Sequence, residues 1–191
     1  MNNPLYLFVG KSASGKTTVS EALEEKHGLK TLHSYTTRSP RYDGETGHVF
    51  ISDDEFDKLE DLVAYTEYNG HRYGCTKAQV DAVSIYVIDV PGVETLLQKY
   101  STDRPIIIIY FDSSVRTRID RMIDRNDCDA AVVARIYNDE GSDWLQELNK
   151  LVWHYKNNVG LNIELHTIDA NHHVENVLGQ LSNMLVLGDD V

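Results

Sequence analysis

Cysteine and proline are scarce in this sequence, which has two cysteines and four prolines among 191 residues. Cys75 and Cys128 show no CxxC spacing and no matching histidine pair, so neither a disulfide framework nor a structural zinc site is expected. Long apolar runs are also missing, because the most apolar stretches are far shorter than the roughly 20 residues that span a bilayer. The start Met-Asn-Asn-Pro lacks a basic segment leading into an apolar run, so we expect no secretory signal and a cytoplasmic protein.

Basic residues are few relative to acidic ones: 18 lysines and arginines stand against 30 aspartates and glutamates, a formal net charge of −12. Such a charge works against broad attraction to nucleic acid or to an anionic membrane surface, so neither is expected as a partner. If the protein binds a phosphate group, it must do so at a local site and not through its overall charge. The apolar share of 41% is ordinary for a globular chain, and the length fits one domain or a core with an inserted subdomain.

Three short apolar runs, at 5–9, 85–90 and 106–111, have the length and the β-branched or aromatic content of strands buried on both faces. Each is followed by a longer segment with helical patterning, an alternation that predicts a parallel sheet covered by helices. Residues 162–168 are a further candidate strand. Helices are predicted near 15–26, 91–100, 113–125, 130–158 with a break, and 172–187, and the tail 187–191 is expected to be frayed.

Residues from about 35 to 83 differ in sequence pattern from the rest of the chain. Polar turns alternate with a short strand at 48–51, an acidic helix start at 52–55, an apolar segment at 62–68 and the turn Asn69-Gly70. No internal repeat and no Pro/Gly/Ser-rich linker divides the chain. We therefore interpret this region as an inserted mixed subdomain rather than as a second core.

A glycine-rich pattern lies directly after the first predicted strand and directly before a predicted helix. Residues 10–17, Gly-Lys-Ser-Ala-Ser-Gly-Lys-Thr, satisfy GxxxxGK[ST], the pattern of a loop that holds nucleotide phosphates. The glycines let the backbone turn its N–H groups inward, and the helix N-terminus adds the positive end of a dipole. Lys16 would reach the outer phosphates and Thr17 would offer a hydroxyl to Mg²⁺. The sequence therefore predicts a nucleoside triphosphate site.

A second basic site follows in the segment Ser34-Tyr35-Thr36-Thr37-Arg38-Ser39-Pro40-Arg41. Two guanidiniums lie three residues apart, behind hydroxyl side chains and around a proline that stiffens the chain. Arginine is suited to bidentate phosphate contacts, so Arg38 and Arg41 are candidate phosphate ligands. A solvated basic turn explains the same residues equally well, and the acidity of the rest of the chain favours the phosphate interpretation only modestly.

With this segment the sequence closely resembles the guanylate kinase family. The resemblance runs in order through most of the chain, and seven motifs in the right order are far more specific than any one of them. The motifs are the phosphate loop, Thr36-Thr37-Arg38-Ser39-Pro40-Arg41, Gly44-Glu45 with Gly47, Phe50-Ile51-Ser52-Asp53-Asp54-Glu55-Phe56, Asn69-Gly70-His71-Arg72-Tyr73-Gly74, Ile88-Asp89 with Gly92, and Arg121 with Arg125 and Arg135.

The resemblance implies a nucleoside monophosphate kinase with an α/β fold. Its three-layer P-loop NTPase core, with a parallel sheet, would comprise 1–33 and 84–191, with an inserted NMP-binding subdomain at about 34–83 and a small lid at about 124–132. The implied reaction transfers the ATP γ-phosphoryl group to a (d)NMP, with GMP or dGMP first. ATP would be the co-substrate, Mg²⁺ the cofactor, and small-molecule nucleotides the partners.

The resemblance also implies roles for individual residues. The ATP-binding set is Gly10, Ser12, Ala13, Ser14, Gly15, Lys16, Thr17 and Thr18. The acceptor-binding set is Ser34, Arg38, Arg41, His48, Tyr73, Cys75 and Asp89, and the metal-binding pair is Thr17 and Asp89. The catalytic set is Lys16, Arg121, Arg125 and Arg135. The three arginines would clamp the donor phosphates as the lid closes and excludes water.

Two of the clamping arginines have a structural alternative. Arg121 and Arg125 lie four residues apart on a predicted helix, a spacing that places them on one face. They could simply pair with Asp120, Asp124 or Asp129 on a solvated surface. Both interpretations are compatible with the sequence.

Two aspartates follow predicted strands and are candidate metal ligands. Asp112 precedes two serines and a predicted helix, so an N-cap is favoured over a metal role there. Asp89 is given no cap role, because Pro91 and Gly92 follow it. Asp89 is therefore preferred as the residue that meets the metal and the acceptor.

Three positions on the acceptor side depart from the family's pattern. The glutamate that reads the guanine edge, six residues before the glycine matching Gly70, is replaced by Ala64. Glu67 lies at an odd offset and would point to the opposite face of a strand unless the register shifts. Cys75 replaces a hydroxyl residue, and His48 is nearest to the place of a lost aromatic phosphate contact. His48 could donate to a phosphate, more so when protonated, or be a half-exposed strand histidine.

These departures weaken the expectation of guanine specificity, because hydrogen-bond complementarity discriminates more strongly than shape. A purine (deoxy)nucleoside monophosphate is expected, GMP or dGMP first, with a broader or different base as the alternative. Another alternative is a guanylate-kinase-like enzyme that phosphorylates ribose bisphosphate. Residues 44–48 faintly resemble the shortened segment of such enzymes, whereas Arg38 and Arg41 fit the nucleotide-phosphorylating enzymes better. The remaining alternative is a non-catalytic interaction module, a class that commonly loses the phosphate loop retained here.

Overall fold

The computed structural model describes residues 3–182 and 184–185 of the 191-residue chain. Its central element is a parallel sheet made of β1 (Leu5–Val9), β6 (Ile85–Val87), β7 (Ile106–Asp112) and β8 (Ile163–Asp169). The strands lie in the order β6-β1-β7-β8. The four predicted strands and the parallel sheet are thus confirmed, and only the strand ends differ from the prediction.

Helices cover both faces of this sheet and give the core three layers. Successive strand residues point to opposite faces, so Leu5 and Leu7 pack on one side and Tyr6 and Phe8 on the other. The first face is covered by α4 (Val90–Lys99) and α7 (Trp144–His154), the second by α1 (Lys16–His27) and α8 (Val174–Leu181). A π-helical turn, Tyr155–Val159, extends α7. The predicted three-layer α/β fold is confirmed.

Two further helices, α5 (Val115–Asp124) and α6 (Asp129–Asp139), follow β7. The break predicted within 130–158 lies between α6 and α7. The last helix, predicted to reach 187, ends at Leu181, while residues 183 and 186–191, including the tail at 187–191, lie outside the described residues. Within the described ranges, no helix has both the length and the apolar character needed to cross a membrane.

The predicted N-cap at Asp112 is wrong. β7 continues through Asp112, which pairs with Asp169 of β8, so its backbone is still part of the sheet. The cap of α5 is Ser114, whose hydroxyl accepts a hydrogen bond from the Thr117 N–H at 3.1 Å. The Asp-Ser-Ser sequence does contain the cap, but at its last residue.

A second, smaller sheet is formed by residues between 34 and 76. Its strands are β2 (Ser34–Thr36), β3 (His48–Phe50), β4 (Leu62–Tyr68) and β5 (His71–Thr76), in the order β3-β2-β5-β4, and two short helices, α2 (Asp53–Phe56) and α3 (Lys77–Asp81), accompany them. β2 and β3 are parallel, and the other pairs are antiparallel. The turn Asn69-Gly70 has a positive φ at both residues, as a tight hairpin requires. The mixed structure predicted here is confirmed.

One face of the second sheet is turned toward the carboxyl end of β6. Residues directly opposite each other in paired strands point to the same face. The paired residues on this face are Ser34 with His48, Ala64 with Cys75, and Thr66 with Tyr73. The Thr66 hydroxyl lies close enough to the Asp89 carboxylate, just beyond β6, to oppose the rise in its pKa that burial causes. The same edge of the parallel sheet carries the loop after β1, and it is the edge at which α/β proteins bind ligands.

Candidate functional site

The loop between β1 and α1 is shaped by three backbone positions. A Cβ at Gly10 would lie 2.8 Å from Ser14 Oγ and 2.9 Å from the Phe111 carbonyl oxygen, so only glycine fits there. Gly15, the N-cap of α1, has a φ of 95°, and Ala13 has a left-handed φ of 60°. No acidic residue occurs in the first turn of α1. The helix N-terminus therefore presents its positive dipole end without a competing carboxylate of its own.

Lys16 folds back over this loop. Its Nζ donates to two loop carbonyl oxygens, of Gly10 at 2.6 Å and Lys11 at 3.0 Å, and to Ser14 Oγ at 3.1 Å. Burial lowers the pKa of Lys16 to about 8, and the nearby Asp139 carboxylate opposes that shift. Because its hydrogen-bond partners are neutral, the ammonium group can attract an anion strongly at this position.

A cavity of about 650 Å³, here named the loop cavity, lies over the N-terminus of α1. Six of the residues predicted to bind ATP line it, namely Ala13, Ser14, Gly15, Lys16, Thr17 and Thr18. Arg121 and Arg125 line it as well. The turn after β8, which was not predicted to take part, contributes Asn171, His172 and His173. A polar turn at the carboxyl end of a predicted parallel strand was the available signal.

A second cavity of about 560 Å³, here named the sheet cavity, lies against the second sheet. Its lining includes eight predicted site residues: Gly10, Ser12, Lys16, Ser34, Arg41, His48, Tyr73 and Asp89. Gly10 and Ser12 thus border this cavity rather than the loop cavity. Lys16 borders both cavities. The two cavities are therefore adjacent at Lys16.

Arg121 connects the phosphate loop to the turn after β8. Its Nη2 donates to the carbonyl oxygens of Ala170 at 2.8 Å and His172 at 2.9 Å, and its Nη1 donates to that of Ala13 at 3.3 Å. Asp120, the nearest aspartate in sequence, pairs instead with Arg116. The surface-pair alternative for Arg121 is therefore wrong.

Arg125 and Arg135 converge on a single carboxylate. Both donate to Asp127 Oδ2, each with a contact of 2.6 Å. The surface partners considered for Arg125 are thus wrong as well, although it does form an ion pair. Arg125 borders the loop cavity, whereas Arg135 borders neither cavity in this conformation. Of the three arginines predicted to form the clamp, Arg121 and Arg125 border the loop cavity and Arg135 is paired with Asp127.

Arg38 and Arg41 are both bound by Glu45. The Arg38 guanidinium forms a bidentate pair with the carboxylate, and Glu45 Oε2 also accepts from the Arg41 N–H at 2.6 Å. The side chain of Arg38 is 12% exposed and that of Arg41 is 47% exposed, so a fully solvated turn does not describe Arg38. Arg38 Nε is buried and has no hydrogen-bond partner among the described residues. Burial lowers the pKa of Arg41, and the charges of Arg38 and Arg135 add to the effect.

His48 lies between Ser34 and Tyr73. Its Nδ1 is 3.0 Å from Ser34 Oγ, and its ring meets the Tyr73 ring edge-on at 5.6 Å. Burial lowers the pKa of His48 to about 4, and the nearby Arg38 charge adds to this shift. His48 is therefore neutral at pH 7, and the protonated donor considered in the sequence analysis is not the form present here.

Asp89 caps α4, contrary to the sequence analysis. Its Oδ1 accepts from the Gly92 N–H at 2.8 Å. Pro91 does not prevent this, because the third helical residue supplies the N–H and proline is favoured early in a helix. Burial raises the pKa of Asp89, and the hydrogen bonds from Gly92 and Thr66 oppose that shift. The carboxylate also borders the sheet cavity, so the cap role and the predicted cavity position coexist.

Cys75 does not line the sheet cavity, in contrast to its predicted acceptor contact. It is fully buried in the core, its thiol is hydrogen-bonded to Tyr86, and burial raises its pKa to about 11. Ala64, directly opposite it, is 1% exposed. The register shift in β4 lies between Leu62 and Ala64, so Glu67 stays on the other face from Ala64. Glu67 nevertheless borders the sheet cavity.

Several residues of the sheet cavity were not predicted from the sequence. Those on β4 and β6 are Tyr65, Thr66, Tyr68 and Tyr86, and those near α6 and α7 are Asn138, Asp139, Ser142, Trp144 and Glu147. The Tyr68 hydroxyl is buried and has no hydrogen-bond partner among the described residues. Nothing local marks these residues, because they approach the cavity from segments far apart in sequence.

The residues predicted to meet Mg²⁺ lie on either side of Lys16. Thr17 is exposed in the loop cavity, and Asp89 borders the sheet cavity. Within the described part of the chain, no cluster of three or more His, Cys, Asp or Glu side chains could hold a metal ion by itself. A hydroxyl and one carboxylate are oxygen ligands of the type that Mg²⁺ accepts, but such a site needs substrate phosphates and water to be completed.

The sequence and the fold were both compared with those of known proteins. No protein-family model matches the sequence. The chain is 30% identical to a guanylate kinase of Sphingopyxis alaskensis over 158 residues, covering 73% of this chain and 70% of that protein. It is 29% identical to a guanylate kinase of Fusobacterium nucleatum over 147 residues, covering 70% and 78%. A crystal structure of guanylate kinase from Anaplasma phagocytophilum matches in fold with a TM-score of 0.55 at 19% identity, covering 96% of this chain and 85% of that one.

Proposed function

The chain belongs to the guanylate kinase family, and we propose that it transfers the γ-phosphoryl group of ATP to a nucleoside monophosphate, with GMP or dGMP first. One observation carries the proposal: Lys16 borders both cavities. A donor bound along the phosphate loop and an acceptor bound against the second sheet would meet at this ammonium group. Phosphoryl transfer requires mainly such alignment, together with neutralisation of charge.

The donor phosphates would be held by the backbone N–H groups of the loop and by the N-terminus of α1. Lys16 would leave its loop carbonyl partners for the outer phosphates, which are stronger acceptors because they are charged. Arg121 and Arg125 border the same cavity and would add positive charge. Mg²⁺, held by Thr17 and, on the acceptor side, Asp89, would neutralise charge on the phosphates.

The acceptor phosphate would be bound by Ser34, Arg38, Arg41 and Tyr73. The unpartnered Nε of Arg38 supports this role, because a buried donor of this kind normally has a partner. An oxygen of the acceptor phosphate would then attack the γ-phosphorus, forming the new P–O bond. The bond from that phosphorus to the bridging oxygen breaks, and ADP leaves.

A lid at about 124–132 would complete the site on closure. This segment contains the end of α5, the turn with Asp127, and the start of α6. We infer that closure releases Arg135 from Asp127 and brings its guanidinium toward the donor phosphates. The core and the acceptor subdomain would follow the boundaries at 33/34 and 83/84.

The base specificity would differ from that of relatives with a glutamate at position 64. Ala64 is buried and has no polar side-chain atom, so it cannot accept from the guanine edge. The buried Tyr68 hydroxyl and Glu67 are polar groups at the same cavity that could contact a base instead. We therefore propose a relaxed or altered base preference among nucleoside monophosphates.

The test is a phosphotransfer assay with ATP and Mg²⁺ over all common NMPs and dNMPs, with a ribose bisphosphate included. The highest kcat/KM with GMP or dGMP supports the proposal, and a maximum with another base corrects the acceptor. If only the ribose bisphosphate were phosphorylated, the acceptor would be a sugar phosphate and not a nucleotide. The control is Lys16→Ala, and absence of turnover with every acceptor would reject the proposed function.

A further inference from the structure

The end of α6 is attached to the phosphate loop by a carboxylate. Asp139 Oδ2 accepts a hydrogen bond from the backbone N–H of Ser12 at 2.7 Å. The same oxygen accepts from Arg118 Nη1 at 3.0 Å. The neighbouring Glu140 accepts from Lys11 at 2.9 Å and from Arg118. The last residue of α6 and the C-cap residue that follows it therefore hold two successive residues of the loop.

The Arg118 and Asp139 pair is buried. Arg118 is 0% exposed and Asp139 is 1% exposed, and they belong to neighbouring helices, α5 and α6. Removing two charges from water is costly, and apolar residues of similar volume often replace a buried ion pair without loss of stability. Stability alone therefore does not account for this pair. What apolar residues could not provide is an acceptor for the Ser12 N–H.

The loop needs an external constraint at this point. Ala13, directly after Ser12, has a φ of 60°, which is unfavourable for a residue with a Cβ. The chain is held on both sides of Ala13, because Asp139 binds the N–H of Ser12 and Arg121 binds the carbonyl oxygen of Ala13. Strained backbone of this kind persists where the surroundings determine it. The two contacts fix the orientation of the peptide groups at the start of the phosphate cradle.

We propose that Asp139 is a positioning residue for the phosphate loop, oriented by Arg118, and that it sets the loop geometry required to bind the donor triphosphate. The inference rests on the proposed function, because the donor is the ligand of this loop. Arg118 compensates the negative charge of Asp139, which would otherwise repel a nearby phosphate. Asp139 acts through the Ser12 backbone and does not itself need to touch the donor.

The test replaces the ion pair by apolar residues in the full chain, as Arg118→Met with Asp139→Val. The matched control is Arg116→Met with Asp120→Val, which removes an exposed ion pair of α5 that does not touch the loop. ATP binding is measured by calorimetry, and thermal unfolding is followed in parallel. We expect ATP binding to weaken roughly tenfold in the first variant, with a similar unfolding midpoint, and to be unchanged in the control.

The outcomes separate this inference from the proposed function. A wild-type chain that does not bind ATP contradicts the proposed function. A wild-type chain that binds ATP, together with a folded double variant that binds it equally well, overturns the inference. A measurement that needs neither nucleotide nor variant is hydrogen exchange of the Ser12 amide in the wild-type chain. We expect clear protection of this amide, and exchange at the unprotected rate would also overturn the inference.

Discussion

The guanidinium of Arg38 and the carboxylate of Glu45 form two parallel hydrogen bonds, Nη2 to Oε1 at 2.8 Å and Nη1 to Oε2 at 3.0 Å. Glu45 is nearly buried, with 5% of its side chain exposed. Burial alone would raise its pKa, but the hydrogen bonds from Arg38 and Arg41 outweigh that effect and lower it. The pair fixes the plane of the guanidinium next to the Phe50 ring. Arg38 is therefore already oriented before any phosphate arrives, which reduces the entropy lost on binding.

Replacing Arg38 by lysine should impair acceptor binding selectively. Lysine keeps the positive charge but cannot form the two parallel bonds to Glu45 or present a fixed Nε–H. We expect KM for the acceptor to rise at least about tenfold, while KM for ATP changes little. Steady-state kinetics with each substrate varied in turn measure both values. Arg116→Lys, at an exposed arginine, is the control, and an equal rise in both KM values for Arg38→Lys would contradict the assignment.

ATP binding should weaken at alkaline pH because of Lys16. Its pKa is lowered to about 8 by burial, so its charge is lost as the pH rises through that value. We expect the affinity for ATP to be highest below pH 8 and to fall by up to about tenfold per pH unit above it. Calorimetry between pH 7 and 9.5 measures this dependence. Lys16→Arg keeps its charge throughout, so an unchanged alkaline decline in that variant would assign the titration to another group.

Stability should decrease in mild acid because of His48. Its pKa is about 4 in the folded state, against about 6.5 when unfolded, so only the unfolded chain takes up this proton between those values. The contribution of His48 is thus fully present above pH 6.5 and is lost as the pH falls toward 4. The slope is at most about 1.4 kcal/mol per pH unit.

Urea unfolding of the wild type and His48→Gln at pH 5 and pH 7 measures this contribution. We expect the variant to lose less stability than the wild type between the two values. His27→Gln, at an exposed histidine of α1, is the control. Equal losses in the wild type and His48→Gln would show that His48 does not carry the effect.

Gly92 leaves no room for a larger residue. A Cβ there would lie 2.7 Å from Ile88 Cγ1 and 2.8 Å from Asp89 Oδ1, so alanine would push the capping carboxylate aside. We expect Gly92→Ala to destabilise the fold by about 1–3 kcal/mol and to lower kcat/KM for the acceptor. At Gly179 in α8 a Cβ would meet nothing within 4 Å, so Gly179→Ala should be neutral or stabilise by about 0.5–1 kcal/mol. Urea unfolding distinguishes the two, and equal effects would contradict the steric argument.

Features that depend on local sequence could be predicted. The phosphate loop follows from a pattern of eight residues between a strand and a helix, and the parallel strands follow from short apolar runs. The cap at Asp89 is also a local feature, although it was not predicted. Gly92, directly after Pro91, has a backbone N–H that can donate to the Asp89 carboxylate. The burial of Cys75 depends on how the second sheet packs on Tyr86, which no local pattern encodes.

The contact between α6 and the loop could not be predicted, because Arg118 and Asp139 are 21 residues apart and Asp139 is 127 residues from Ser12. A weak signal does exist in the helical spacing. Arg118 and Met122 lie one turn apart and are both buried, and so are Val132 and Asp139, which lie two turns apart. A charged residue at a core-facing position on each of two successive helices indicates that the two pair with each other.

The Asp89 carboxylate joins two parts of the molecule that a closing motion would have to separate or realign. It is bound at once by the Gly92 amide of α4 and by the Thr66 hydroxyl of β4. Any displacement of the small sheet relative to the parallel sheet would break or exchange the contact between Thr66 and Asp89. A hydroxyl on a strand can find a new partner more readily than a helix can give up its first turn. An acceptor that takes the place of Thr66 beside Asp89 would remove one of the contacts between β4 and α4, while the hydrogen bond from the Thr95 hydroxyl to the Tyr65 carbonyl oxygen would remain.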